Sequence, residues 1–217
     1  MTQKLDQSSI MSMLDTLYEK AVAGFPGVDS AFDMANEYRK QNGSKADQIN
    51  ALIRWQNAKA GTSGFITGLG GIVTLPVAIP ANVASVMYVQ VRMIAAIAII
   101  CGCDVRDDKV KTLIYACLTG NAAKDILKDI GISIGQRLAT NAINNLSRKT
   151  IIEINKKVGF RLLTKFGEKG AINLGKAVPL IGGIVGATFD SVTTNTIGNI
   201  ARDTFLGLQP VADAAAG

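Results

Sequence analysis

The sequence predicts an all-α protein, a single bundle of about 8–9 helices around an apolar, glycine-rich helical hairpin. Three observations carry this prediction. Apolar residues recur at three- and four-residue spacing in most segments, and helix-capping residues, glycines and prolines mark the segment ends. No segment alternates convincingly as a strand. With 217 residues, of which 48% are apolar, the chain has enough material for one sizeable core.

Residues 1–60 predict amphipathic helices that pack on the core. Residues 2–22 carry apolar side chains at helical spacing and end in the turn AGFPG. Asp29 and Ser30 are placed to cap a short second helix, and Ser44 with Asp47 forms a capping-box pattern ahead of a third. This part of the chain therefore resembles an ordinary set of surface helices.

Residues 61–207 are predicted to form the helical core unit. From Ala60 to Cys103, 44 consecutive residues contain a single charge, Arg92. Pro76 and Pro80 divide this stretch, and the residue before a proline avoids the helical region. We therefore expect two apolar helices joined at TLPVAIP, the second at 81–103, in preference to one long span.

The rest of the core unit is expected to be helical as well. Paired aspartates after the hairpin suit a helix start, and a proline in the first turn of a late apolar segment opens a long helix. Helices are predicted at 108–119, 121–130, 132–146 and 150–167, then from Pro179 to about Phe205, before a flexible tail at 208–217.

The glycines predict helix packing and not phosphate binding. A Walker loop needs a lysine followed by Ser or Thr, and a dinucleotide fingerprint needs Gly-x-Gly-x-x-Gly after a strand. The stretch GLGGIVTLP has neither pattern, whereas glycines four residues apart let helix backbones approach closely. Gly131 and Gly135 have this spacing too. The assigned packing positions are Gly64, Gly68, Gly71, Pro76, Pro80, Gly182 and Gly186.

Two opposite charges stand alone in apolar surroundings, Arg92 in the second hairpin helix and Asp190 in the last helix. An isolated buried charge is strongly disfavoured, so we expect these two helices to contact each other and the charges to pair. The pair is interpreted either as a structural salt bridge or as a polar point that binds a ligand head group in an apolar pocket. The candidate ligand-binding residues are Arg92, Asp190 and Thr194.

The segment TIIEINKKVGFRLLTKFG predicts a basic amphipathic helix. From Lys124 to Lys176 the chain has eleven Lys and Arg against four Asp and Glu, a local charge of +7 against +6 for the whole chain. Such a face suits anionic lipid head groups, although a merely solvated face has the same composition. The candidate membrane-surface residues are Lys156, Lys157, Arg161 and Lys165.

Several function classes are disfavoured by composition. With no histidine the chain has no Ser-His or Cys-His dyad, so we expect a protein that is not an enzyme and has no cofactor. Three cysteines without histidine make a structural zinc site improbable, and we expect no metal. The single tryptophan and the absence of a nucleic-acid signature argue against nucleic acid as a partner.

Three stretches of the sequence resemble the EcsC family of bacterial proteins. They are RWQNAKAGTSGFITGLGGIVTLPVAIP, VRMIAAIAIICGCD and KAVPLIGGIVGATFDSVTTNTIGNIA, and the likeness covers about residues 50–205. The resemblance implies an all-helical protein, often associated with membranes or with membrane-transport gene neighbourhoods, and brings no established catalytic activity. Many relatives have an acid where this chain has Ala78, and often Asn at Asp190.

Together these observations predict a bacterial protein that binds lipid or another apolar ligand at the cytoplasmic face of the membrane. The start MTQKLDQSSIMSML lacks an apolar export signal, so a cytoplasmic, peripheral location is expected. The alternative is an interaction module that regulates a membrane protein or transporter complex, with a partner helix in place of lipid. The prolines and the polar last helix favour a soluble or peripheral bundle over a membrane-spanning protein.

Overall fold

Helices account for most of the chain that is described. The computed structural model describes residues 6–60, 81–135, 143, 146–166 and 184–208, without the side chains of 59–60, 81–83, 166 and 184–192. These ranges contain helices and no strand, so the predicted all-α class is confirmed. The helices are α1 (Gln7–Ala23), α2 (Ala31–Arg39), α3 (Lys45–Ala60), α4 (Ala81–Ile100), α5 (Asp108–Leu118), α6 (Ala122–Lys128), α7 (Arg148–Phe166) and α8 (Ile184–Leu206).

Helix α4 is the centre of the bundle. It contacts α1, α2, α3, α5 and α8, and every side chain from Met87 to Cys101 is buried. A helix that is apolar on all sides is stable in water only when other elements cover it. The second arm of the predicted hairpin is therefore the core helix. The first arm, residues 61–80, lies outside the described residues.

Helix starts follow the local capping signals. The Ser30 hydroxyl accepts a hydrogen bond of 3.0 Å from the Asp33 amide, in a full capping box at the start of α2. Ahead of α3, Ser44 accepts a 3.2 Å hydrogen bond from the Asp47 amide. A capping side chain accepts a hydrogen bond from a first-turn amide that has no partner within the helix. These short sequence patterns therefore define helix starts without any tertiary contact.

The end of α4 is fixed by a glycine. Gly102 has φ +87°, a left-handed conformation that side chains disfavour. Its amide donates to the Ile99 carbonyl at 2.9 Å, and the Cys103 amide donates to the Ala98 carbonyl at 3.0 Å. This is a Schellman termination. The Arg39 guanidinium also donates to the Ile99 carbonyl, so α2 helps to cap α4.

The predicted helix over 132–146 is wrong at its start. The described residues from Gly131 to Gly135 form turns, and both glycines have positive φ, at +80° and +83°. A left-handed residue cannot continue a right-handed helix. Gly131 and Gly135 are thus turn residues, and their spacing does not mark a helix-packing face.

Helices α3 and α8 run antiparallel in close contact. At one end Asn57 donates to Asn195 at 3.1 Å, and at the other Arg202 donates to Asn50 at 2.7 Å. Between them, a Cβ added at Gly198 would lie 2.8 Å from Cγ1 of Ile53. The small residue therefore allows the approach of the two helices.

Replacing Gly198 with alanine is expected to destabilise the protein by about 1 kcal/mol. Alanine gains about 1 kcal/mol of helix propensity, but overpacking a buried contact costs roughly 1–3 kcal/mol. Ile53 is 2% exposed and has little room to move. Urea denaturation gives the measurement. A Gly198→Ala variant that is as stable as the wild type would contradict the packing role.

The predicted packing positions fall largely outside the described part. Gly64, Gly68, Gly71, Pro76, Pro80 and Gly182 lie outside the described residues, and Gly186 lies in α8 where side-chain surroundings are not described. The division into 1–60, 61–207 and 208–217 also stays a prediction. Leu208 is buried at 4% exposure, and residues 209–217 lie outside the described residues.

Candidate functional site

Arg92 lies in the interior, in the middle of α4, and is 3% exposed. Its guanidinium donates to the backbone carbonyl of Asp29 at 3.0 Å and lies 5.6 Å from the centre of the Tyr88 ring. Burial lowers the pKa of Arg92, while Tyr88 and Asp29 oppose that shift. The side chain therefore ties α4 to the loop before α2 by a charge-assisted hydrogen bond and a cation–π contact.

Thr194 lies on α8, opposite α4. It is 1% exposed, and its hydroxyl accepts a hydrogen bond of 3.2 Å from Gln90. The predicted contact between the two apolar helices is thus confirmed. Asp190 belongs to α8, but its side chain lies outside the described residues. The ion pair between Arg92 and Asp190 stays a prediction, as does a ligand site built from Arg92, Asp190 and Thr194.

The interior around α4 contains more polar side chains than a purely apolar core. Gln56, Ser85 and Gln90 are buried at 1%, 4% and 1% exposure. Within the described ranges the side-chain oxygens of Gln56 and Gln90 have no hydrogen-bond partner. Such acceptors are rare in protein interiors, because each one costs desolvation energy. The surroundings of α4 are therefore the polar part of the core, and sequence reasoning identified only Arg92 and Thr194 among these residues.

Helix α7 packs on the bundle with one apolar stripe. Ile154, Val158 and Leu162 are buried at 1%, 0% and 0% exposure, at the four-residue spacing expected of one face of an amphipathic helix. Helix α7 contacts α1, α5 and α6. Gln7 at the start of α1 donates to the Lys156 carbonyl. Gly159 allows this approach, since an added Cβ would lie 2.8 Å from Cγ of Gln7. The buried stripe fixes which side of α7 faces solvent.

The solvent side of α7 carries apolar as well as basic side chains. Ile152 is 60% exposed and Phe160 is 57% exposed. They lie four residues before and after the exposed Lys156, so the three side chains form one line along the helix. Exposed Lys149 extends the line, and exposed Arg161 lies about 100° further round the helix, beyond Glu153. We call Lys149, Ile152, Lys156, Phe160 and Arg161 the outer face of α7.

Sequence reasoning missed Ile152 and Phe160. The signal was present, because a helical wheel places both with Lys156 and away from the buried stripe. Among the described residues, Trp55 is the only other large apolar side chain that is exposed to this degree, at 52%. The outer face thus concentrates apolar exposure next to positive charge.

The four predicted basic residues have different surroundings. Lys156 and Arg161 are exposed, and Lys165 is half-buried. Lys157 pairs with Asp129 of α6 at 2.7 Å and with Glu153 at 3.5 Å. The hydrogen bond to Asp129 is the main cause that raises the pKa of Lys157. Lys157 therefore links α7 to α6, and Lys156 and Arg161 are the cations available to an external partner.

A cleft of about 640 Å³ lies beside the outer face, between the start of α1, α6 and α7. Its volume is in the range of small-molecule sites. Gln7, Ile126 and Phe160 form part of its wall. Charges of both signs complete it, three acidic and three basic: Asp125, Asp129, Glu153, Lys156, Lys157 and Arg161.

Metal and thiol chemistry receive no support from these residues. Cys, Asp and Glu side chains within the described ranges form no group of three suited to a metal ion. Cys101, Cys103 and Cys117 form no disulfide, and burial raises the pKa of Cys103 to about 11 and of Cys117 to about 12. At neutral pH the thiols of Cys103 and Cys117 are therefore protonated and are weak nucleophiles.

Comparison with known proteins gives one family. The sequence profile of the EcsC protein family matches residues 41–206, which is most of the chain. No curated protein and no solved structure has significant similarity to it. Of the helices in the described part, none combines the length and the hydropathy that crossing a membrane requires.

Proposed function

The chain belongs to the EcsC family, and from that premise we propose that it is a non-enzymatic peripheral protein that binds anionic lipid through the outer face of α7. The observation that carries the proposal is the line Ile152, Lys156, Phe160, in which two large apolar side chains stay exposed on either side of a lysine. In water such exposure has no benefit to the fold. At a lipid interface, apolar side chains insert while lysines contact the head groups.

The two kinds of side chain contribute comparable binding energies. A basic residue near an anionic leaflet contributes about 1 kcal/mol. Fully burying a side chain such as Phe contributes about 1.5–3 kcal/mol, so inserting the exposed halves of Ile152 and Phe160 is worth about 1–1.5 kcal/mol each. Binding is thus reversible, and the electrostatic and the apolar contributions both add to its strength. Anionic lipids of the inner leaflet would place the protein at the cytoplasmic face.

Cosedimentation with vesicles tests this function. The protein is expected to bind anionic phosphatidylglycerol vesicles at low salt and neutral phosphatidylcholine vesicles much less. Raising the salt from 0.1 M to 1 M shortens the screening length from about 10 Å to about 3 Å and should remove the electrostatic part. A residual affinity from Ile152 and Phe160 should remain, because apolar burial does not depend on ionic strength.

Two double variants separate the contributions. Lys156→Gln with Arg161→Gln should weaken partitioning about 30-fold at low salt, as expected for a loss of about 2 kcal/mol. Ile152→Ser with Phe160→Ser should weaken it by roughly 30- to 100-fold and leave the salt dependence intact. The matched control is Lys40→Gln with Arg54→Gln, which removes the same charge from two exposed positions, one just after α2 and one on α3.

Lack of binding to anionic vesicles at low salt, or equal weakening by the charge variant and its control, would reject the lipid function. In that outcome the same apolar and basic face would favour the alternative, an interaction module for a membrane protein, because lipid vesicles contain no protein partner. A second lipid or apolar ligand site at Arg92, Asp190 and Thr194 is a separate proposal that the vesicle variants leave untouched.

A further inference from the structure

The cleft beside the outer face differs from it in electrostatic character. The outer face is basic, whereas the cleft has three acidic and three basic side chains. A balanced lining is a poor site for a purely anionic group, because the carboxylates oppose it. It suits a ligand that carries both a negative and a positive group.

Three of the six charges are already used within the protein. Lys157 lies 2.7 Å from an oxygen of Asp129 and 3.5 Å from one of Glu153, and these contacts join α6 to α7. The remaining charges are Asp125 on α6, and Lys156 and Arg161 on α7. None of these three side chains makes an ion pair with a described residue. The cleft therefore offers one carboxylate and two cations to a ligand.

We propose that this cleft binds the phosphoethanolamine head group of a membrane phospholipid, with its phosphate on Lys156 and Arg161 and its ammonium on Asp125. The inference deepens the proposed lipid function and rests on it. Arg161 suits a phosphate because a guanidinium makes paired, charge-assisted hydrogen bonds to phosphate oxygens. Phe160 belongs to both the cleft and the outer face, so a head group in the cleft has its acyl chains next to the apolar line.

The chemistry of the cleft favours ethanolamine over choline. A primary ammonium donates hydrogen bonds to a carboxylate, whereas a quaternary ammonium is recognised mainly by several aromatic faces. The cleft offers carboxylates and a single aromatic residue, Phe160. Phosphatidylethanolamine and phosphatidylcholine therefore form a matched pair of lipids with which to test the proposal.

The first arm compares vesicles that have the same phosphatidylglycerol content, with the remaining lipid either phosphatidylcholine or phosphatidylethanolamine. The wild-type protein should bind the ethanolamine vesicles about tenfold more tightly, as expected for one charge-assisted hydrogen bond. Asp125→Asn should abolish this preference and keep the binding to phosphatidylglycerol. Glu37→Gln, an equal change of charge at an exposed position on α2, should keep the preference.

Binding to phosphatidylglycerol without an ethanolamine preference would overturn this inference and leave the proposed function standing. A preference that survives in Asp125→Asn would also overturn it, since the effect would then come from the physical state of the bilayer. The second arm titrates the ¹⁵N-labelled protein with soluble phosphoethanolamine and with phosphocholine. Chemical shift changes in α6 and α7 with the first only, lost in Asp125→Asn, are expected.

If no vesicle binds the protein, the proposed function fails and the soluble arm decides the rest. Saturable shifts with phosphoethanolamine would then assign the same chemistry to a free ligand and reject the lipid source. Absence of shifts in this arm would reject the cleft as a phosphoethanolamine site altogether.

Discussion

Raising the pH above about 10 is expected to unfold the protein. All four tyrosines of the chain, Tyr18, Tyr38, Tyr88 and Tyr115, are buried, and burial raises the pKa of each phenol. The pKa of Tyr38 reaches about 12. At Tyr115 the hydrogen bond to the Asp15 carboxylate, at 2.7 Å, adds to the increase of the pKa.

The direction of the effect follows from proton binding. An unfolded chain loses tyrosine protons near pH 10 and thiol protons near pH 8.5, while the folded state keeps them to higher pH. Above those values the folded state therefore binds more protons, and its stability falls by about 1.4 kcal/mol per pH unit for each such proton. The contribution is complete below the ordinary pKa values and is lost as the pH rises towards the folded ones. With several groups acting together, the loss reaches the usual total stability of about 5–15 kcal/mol.

Thermal unfolding followed by circular dichroism, with a reductant present, measures this dependence between about pH 8 and pH 11. The midpoint should fall steeply above about pH 10, and tyrosinate absorbance should appear together with unfolding. Denatured protein, in which the phenols should titrate near pH 10, is the reference. A native protein whose tyrosines ionise near pH 10 without loss of structure would contradict the burial of these phenols.

Replacing Arg92 with methionine is expected to cost about 2–3 kcal/mol of unfolding free energy. The variant loses the 3.0 Å hydrogen bond to the Asp29 carbonyl and the contact with the Tyr88 ring, and a hydrogen bond from a charged donor contributes about 1.5–3 kcal/mol. If Arg92 also pairs with Asp190, the loss should rise to about 3–5 kcal/mol, because a buried carboxylate is left uncompensated.

A double-mutant cycle in urea separates these cases. Asp190→Leu alone should cost about 3–5 kcal/mol, and Arg92→Met combined with Asp190→Leu should recover much of the loss. Additive losses would refute the pair. Arg54→Met, at an exposed arginine of α3, should change stability by less than about 0.5 kcal/mol and controls for the substitution itself.

The helices and their starts were readable from the sequence because their determinants are local. Each capping hydrogen bond joins residues three apart in the sequence, Ser30 with Asp33 and Ser44 with Asp47. The local sequence is therefore enough to predict these helix starts. The apolar stripe of α7 follows from the spacing of its apolar residues. The apolar run of α4 predicted a helix, but left open whether it is buried in the domain, inserts into a bilayer or lines a ligand cavity. The three family stretches likewise lie within the profile match. The predicted contact between α4 and α8 followed from two lone charges of opposite sign, Arg92 and Asp190, in otherwise apolar segments.

What the tertiary structure decided depends on residues distant in the sequence. Lys157 was predicted to face a membrane, yet it pairs with Asp129, 28 residues away, and only the packing of α6 against α7 brings them together. Gly131 and Gly135 have the spacing of a helix-packing pair but adopt left-handed turns. Spacing alone does not report backbone conformation.

Ile152 and Phe160 are the residues whose exposure, set by tertiary packing, matters most for the proposed function. An apolar residue in a helix is expected to be buried, but α7 has enough apolar residues to occupy its solvent side as well as its packed side. The structure places Ile154, Val158 and Leu162 inward and leaves Ile152 and Phe160 at 60% and 57% exposure. The sequence by itself therefore determined a basic amphipathic helix. A helical wheel separates Ile152 and Phe160 from the stripe of Ile154, Val158 and Leu162, but only the contact of α7 with α1, α5 and α6 decided which of these two groups is buried.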